Sequence, residues 1–373
     1  MRGSVTKKGN KWYIVVYLGY EDGKKKNKWF SGYESKREAE RDLPNKLQEL
    51  QAGVRPSKES FNAFLERWID YKRDHVRLRT VEIYQRTIRL HIAQNIGKLP
   101  LQDITPLHVT MFYRQLATQD KPLSNRYISQ IHTLLHDSFD RAVKWGLKQR
   151  NIIDAVDSPK PVRKKFAVWS LDDAQRFLNA DEVKDHRFYV AFLLALATGM
   201  RQGEILGLQW KDIDWQNNRL RVERTLTWVN REYSFGPPKS ESGERIISLP
   251  DDVMSALRRH KAQQNQERLK MIEFYNNRDL VVARINGNIV TQAFVRKKFT
   301  DLISKLDMPY IRFHDLRHTH ASILLELGEK TKVLQERLGH SDYSTTMDIY
   351  THVSRRLQDS TAALLQEGLF GSK

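Results

Sequence analysis

Four polar residues crowd the start of the segment IRFHDLRHTHASILLELG, residues 311–328: His314, Arg317, His318 and His320. Imidazoles and a guanidinium at this density suit a metal site, a phosphate site or the polar end of a buried helix. The spacing of Ala321, Ile323, Leu324, Leu325 and Leu327 predicts a helix that faces a core. Residues three and four apart share a helix face, so His314 can reach one target together with Arg317 or with His318. HDLRH has the His-x-x-x-His spacing of a zinc-binding helix, with Asp315 where such hydrolases place Glu. A cationic Arg317 inside the motif, the lack of a specified third ligand and the basic chain all argue against zinc, although His340 is available as a ligand.

Other fragments extend the phosphate reading. ATGMRQGEILGLQWKDID puts Arg201 in a Gly-flanked turn that leads into a short helix, with Glu204 able to hold it. GPPKSESGERIISLP puts Lys239 at the tip of a hairpin region. LQERLGHSDYSTTMDIYTHV supplies His340 and, ten residues on, Tyr350. Alone, each has a plain explanation: a surface pair for Arg201, half-buried packing for Tyr350. Taken in order, they assemble two guanidiniums, an ammonium, two imidazoles and a phenol. A phosphodiester under attack gains charge on its non-bridging oxygens, and Arg forks match phosphate bidentately.

Composition agrees. Among 373 residues, 63 Lys and Arg stand against 45 Asp and Glu, a formal charge of +18 that favours a polyanionic partner, nucleic acid first. With no cysteine, disulfides, zinc thiolates and iron–sulfur clusters are excluded. No apolar run approaches the roughly 18 residues of a membrane span, and the N-terminus lacks a signal peptide's apolar stretch. The expectation is a soluble intracellular protein of two or three domains.

The positioning elements follow from periodicity. KWYIVVYLGY and the run after Asp22-Gly23 read as a basic hairpin. SKREAERDLPNKLQEL reads as a helix capped by Ser35 with Glu38 three residues on, and Pro44 predicts a kink or break. Residues 1–50 carry 12 Lys or Arg against 7 Asp or Glu; a basic two-stranded ribbon fits a DNA major groove. After the turn-rich QAGVRPSKES, four apolar stripes predict helices: Phe64–Tyr71, Val81–Ile92, Val109–Leu116 and Tyr127–Val143. Lys72, Arg73, Arg77, Arg79, Arg86 and Arg89 are candidates for a DNA face. A second linker, DSPKPVRKKFAV, precedes a capping box at Ser170 and Asp173.

On these motifs the chain resembles the tyrosine recombinases, especially integrases of temperate phages and integrative conjugative elements. The resemblance spans essentially the whole chain and is most specific between 198 and 352. It implies a multidomain fold: a small α+β arm-binding domain with a three-stranded sheet and one helix (1–52), an all-α core-binding bundle (58–157), and a mainly α catalytic domain with a small antiparallel sheet and an oligomerisation tail (166–373). It also implies roles. Tyr350 is the nucleophile that forms a 3′-phosphotyrosyl link, Arg201 and Arg317 bind the phosphate with His340, His314 helps the phenol lose its proton, and Lys239 protonates the leaving 5′ oxygen. No cofactor is called for, neither ATP nor metal. The implied partners are double-stranded DNA with core and arm sites and a homotetramer on that DNA, in the bacterial cytoplasm; the resemblance also admits an excision or directionality factor and a host DNA-bending protein. A DNA-binding regulator without catalysis explains the charge and the helices but not six ordered active-site residues. A topoisomerase of related chemistry does not explain the arm-like N-terminus.

Overall fold

The structure is a computed structural model. It describes residues 2–21, 24–51, 59–161, 167–229, 232–238, 241–339, 366 and 371. The chain divides into two compact units, Met1–Arg163 and Lys164–Lys373.

The first unit opens with three antiparallel strands in the order β1 (Arg2–Lys8), β2 (Lys11–Glu21), β3 (Lys24–Tyr33). Pairing of Glu21 with Lys24 carries the β2–β3 ladder up to the expected turn, whose Asp22 and Gly23 lie outside the described residues. Alternation puts Ile14 and Val16 on one face, where Ala39, Leu43, Leu47 and Leu50 of α1 (Lys36–Gln51) cover them. The break expected at Pro44 does not occur: α1 runs through it. Pro44 and Glu40 are both exposed, so the carbonyl that proline deprives of a donor faces water, while the leucines on the opposite stripe anchor the helix to the sheet. Ser35 Oγ accepts from the Glu38 N–H at 3.2 Å, as the cap requires.

The helical part of this unit contains α2 (Phe61–Arg73), α3 (Leu78–Thr87), α4 (Pro106–Thr118) and α5 (Asn125–Lys144). The second predicted stripe is α3 extended by a π turn, Ile88–Ile92. Phe61, Phe64, Trp68, Phe112, Ile131 and Phe139 form the core. Lys72 is not a free DNA-facing cation. It pairs with Asp137 at 2.5 Å and lies over the Trp68 ring.

In the second unit, Ser170 and Asp173 cap α6 (Leu171–Asn179) reciprocally. After α7 (Asp181–Lys184), α8 (Tyr189–Thr198) reads YVAFLLALAT and is buried nearly all round, as its lack of a polar face dictates. It leads into α9 (Gln202–Gly207). The region expected to hold one hairpin builds two sheets: β4 (Ile213–Asp214), β5 (Arg219–Val222) and β8 (Arg245–Ser248) in one, β6 (Thr225–Val229) and β7 (Glu232–Gly236) in the other. Among the described residues, helices α10 (Asp251–Lys270), α11 (Gln292–Lys305), α12 (Asp315–Glu326) and α13 (Thr331–Leu338) follow. Trp169, Phe177, Phe192, Phe299 and Phe313 stack at its centre. Among the described residues no helix is long and apolar enough to cross a membrane.

Candidate active site

Two helix ends organise the site. Helix α8 stops at Gly199 and α13 at Gly339, both left-handed at φ 65°. Side chains could not replace either hydrogen. A Cβ on Gly199 would sit 2.6 Å from the His320 ring, and one on Gly339 would sit 2.6 Å from the Ser242 carbonyl oxygen. The terminal carbonyls of both helices have no intrahelical donors and carry the negative end of the helix dipole, so they attract cations.

Arginines answer that demand. Arg317, near the start of α12 and only 3% exposed, donates from Nη1 to Gly199 O at 2.6 Å and from Nη2 to Leu338 O at 2.7 Å. Arg201, the residue before α9, donates from Nη2 to Gly339 O at 3.1 Å and from Nη1 to Glu204 Oε1 at 2.8 Å. Glu204, 2% exposed, also accepts from the Arg201 backbone and from Arg245 Nη2 at 3.0 Å. Burial alone would raise its carboxyl pKa; Arg245 and Arg201 outweigh burial and hold it below the ordinary carboxylate value. Arg337 closes the set by donating to Ala197 O at 2.9 Å. Four guanidiniums thus share one carboxylate and a ring of carbonyls. That excess of fixed positive charge suits a phosphate.

Burial, then the neighbouring Arg201, pushes Arg317 down to about 9, so it remains cationic at neutral pH. Desolvation, then the charge of Arg317, lowers His314 below 6.5, which favours the neutral imidazole with a ring nitrogen able to accept a proton. His318 meets His314 edge to face, ring centroids 5.3 Å apart, and burial lowers it to about 4. His320 donates from Nδ1 to Leu196 O at 2.7 Å and falls to about 3, again chiefly by burial. His320 thereby ties α12 to α8. The Asp315 carboxylate is taken up by Arg312, which donates from its backbone and both ends of its side chain. Among the described residues no three His, Asp or Glu side chains are grouped to hold a metal ion.

Of the six expected site residues, Arg201, His314 and Arg317 are described. Arg201 and Arg317 converge on the turn at Leu338–Gly339, and the charges of both act on His314. Lys239, His340 and Tyr350 lie outside the described residues, as does the leucine stripe after Tyr350. The expectation that Lys239 sits at the tip of the hairpin region therefore falls outside the described residues. Sequence reasoning missed Arg245 and Arg337. Arg245 carried a signal, since it shares the strand face of buried Ile247 two residues on.

Residues 168–356 match the phage integrase family, 60–117 the phage integrase N-terminal SAM-like domain, and 4–50 an arm DNA-binding domain. Among curated relatives, a tyrosine recombinase XerC-like protein of Caldanaerobacter subterraneus subsp. tengcongensis is 28% identical over 385 residues, 97% of each chain. The ICEBs1 integrase of Bacillus subtilis is 29% identical over 280 residues, 75% of each. Among solved structures, the Tn1549 transposon integrase in complex with transposon right end DNA superposes at TM-score 0.68 and 21% identity, covering 82% of this chain and 100% of that one. A lambda integrase tetramer bound to a Holliday junction gives 0.59 at 19% identity, covering 90% and 92%. Arm sheet, helical bundle and the mixed unit that carries the arginine cluster make up the tyrosine recombinase fold. The chain belongs to the phage integrase family, and its activity is site-specific cleavage and rejoining of DNA.

Proposed function

We propose that this recombinase integrates and excises a mobile element by pairing two attachment sites, with Arg201, Lys239, His314, Arg317, His340 and Tyr350 as its catalytic set. The observation that carries the reading is the convergence of Arg201 and Arg317 on the carbonyl turn after α13, immediately before His340 in the chain. In this reading the Tyr350 oxygen attacks the scissile phosphorus while neutral His314 takes the phenol proton, since a phenol near pKa 10 is a poor nucleophile unaided. The two guanidiniums and His340 hold the charge that develops on the non-bridging oxygens. Lys239 gives its proton to the departing 5′ oxygen, a general-acid step worth roughly 10²–10⁴ in rate. The 3′-phosphotyrosyl bond keeps the energy of the broken phosphodiester, so attack by another strand's 5′ hydroxyl reseals DNA without ATP.

Residues 1–52 take arm sites, while 58–157 and 166–373 take the core site. Four copies on two DNA sites proceed through a Holliday junction in the cytoplasm, an assembly supported by the lambda integrase tetramer described on such a junction. Excision draws on a directionality factor and a host DNA-bending protein. The test is to trap the protein on nicked site DNA, digest it and map the phosphopeptide. Tyr350 should carry the nucleotide, in EDTA as without it, and Tyr350→Phe should bind DNA without cleaving it. A nucleotide on Tyr343, or loss of trapping in EDTA, overturns the assignment.

A further inference from the structure

Arg245 belongs to none of the six catalytic assignments, yet it has the most consequential bonding in the cluster. Its side chain is 6% exposed and uses three donors on three segments. Nε donates to Arg337 O at 2.6 Å, Nη1 to Gly243 O at 2.9 Å, and Nη2 to Glu204 Oε2 at 3.0 Å. Glu204 grips Arg201 with its other oxygen. Arg337 stands three residues before His340 in the chain, and Gly243 four residues after Lys239. One rigid planar fork therefore fixes Glu204, the end of α13 and the start of β8 relative to one another. A lysine keeps the charge but sends its donors from a single flexible point and cannot hold all three acceptors in place. Contact is close enough to enforce the register: a Cβ on Gly339 would lie 3.2 Å from Arg245 Nη1.

We propose that Arg245 is a positioning residue for recombination, aligning Arg201 and the Leu338–Gly339 turn against the scissile phosphate without touching DNA itself. The proposal rests on the catalytic reading above. Misalignment by a fraction of an ångström weakens stabilisers whose value depends on being preorganised around developing charge. The defect of an Arg245 variant must therefore depend on the charge of the phosphate.

The experiment is single-turnover cleavage of two suicide substrates, one with a normal scissile phosphodiester and one with a methylphosphonate, in which a methyl group replaces a charged non-bridging oxygen. Arg245→Lys should melt somewhat below the wild type but still fold and bind duplex DNA, yet cleave the phosphodiester about 10²-fold more slowly. On the neutral methylphosphonate its loss should shrink to less than about tenfold, because less charge needs compensation. Glu204→Gln, which weakens the same link from the other side, should show the same selectivity and serves if the lysine variant melts early. Equal losses on both substrates, or no loss, overturn the positioning role while leaving the recombinase reading intact. A wild type that forms no covalent adduct on either substrate overturns both.

Discussion

In the arm sheet Lys8 lies 5.8 Å from the Trp29 ring centre and Lys7 6.0 Å from that of Trp12, with both lysines exposed. In the catalytic unit Arg317 is buried with both ends of its fork on helix-terminal carbonyls, and Arg201 and Arg245 share one buried carboxylate. Both regions are basic, but they hold charge for different ends. Exposed ammonium groups on four-carbon stems stay hydrated and can follow a phosphate backbone, which gives affinity and salt dependence. Guanidiniums fixed before substrate arrives cost nothing to reorganise at the moment of reaction. The difference teaches where mutation should hurt both fold and chemistry, and where it should change only binding.

The largest effect should come from Arg317. Its loss leaves Gly199 O and Leu338 O, both in buried surroundings, without their donor, at about 1–3 kcal/mol each. Arg317→Ala should thus lower the melting temperature clearly and slow suicide-substrate cleavage by at least roughly 10²–10³. Arg201, with its side chain 31% exposed, should show a comparable rate loss on replacement by Ala but a smaller thermal shift. If both variants melt like wild type, the cluster is not the structural keystone its hydrogen bonds describe.

A medium effect should appear in the pH dependence of stability. His320 is held near pKa 3 in the folded chain against 6.5 unfolded, chiefly because burial penalises its charge. Below 6.5 the unfolded state takes up a proton that the folded state refuses. Stability from this residue is therefore complete above pH 6.5 and is lost as pH falls toward 3, by at most about 1.4 kcal/mol per unit. His320→Asn keeps a donor for Leu196 O without the titration, so its melting temperature should fall less steeply between pH 6.5 and 4. Parallel slopes for variant and wild type would remove His320 from the acid response.

How much of this was legible follows the same division. The α12 helix, the Ser170–Asp173 box and the Arg201–Glu204 pair are local, set by residues three or four apart, and could be read directly, except that Leu327 of the expected core stripe follows the helix and is 67% exposed. The arginine hub could not, because its acceptors are backbone carbonyls from α8 and α13, and backbone acceptors leave no mark on residue type. Arg337 reaches Ala197 across 140 positions, with nothing in LQERLGH to announce it. The ion pair of Lys72 was hidden for a related reason, since Asp137 comes to it from another helix. The break expected at Pro44 is absent because its cost depends on which side of the helix faces water, a tertiary fact.

The smallest effect should come from the arm sheet, and it tests the comparison from the other side. Lys8 is held by an exposed cation–π contact of about 0.5–1 kcal/mol at most, with Trp29 itself 51% exposed. Lys8→Ala should therefore leave the melting temperature and core-site suicide cleavage close to wild type. Binding is different, because each lysine that neutralises a phosphate releases counterions. Titrating labelled duplex DNA between about 50 and 200 mM salt should show the log–log slope for Lys8→Ala reduced by about 0.9. An unchanged slope would mean that Lys8 meets no phosphate. A melting loss as large as that of Arg317→Ala would mean that the arm holds its cations for the fold, as the catalytic unit does, and the contrast between the two regions would disappear.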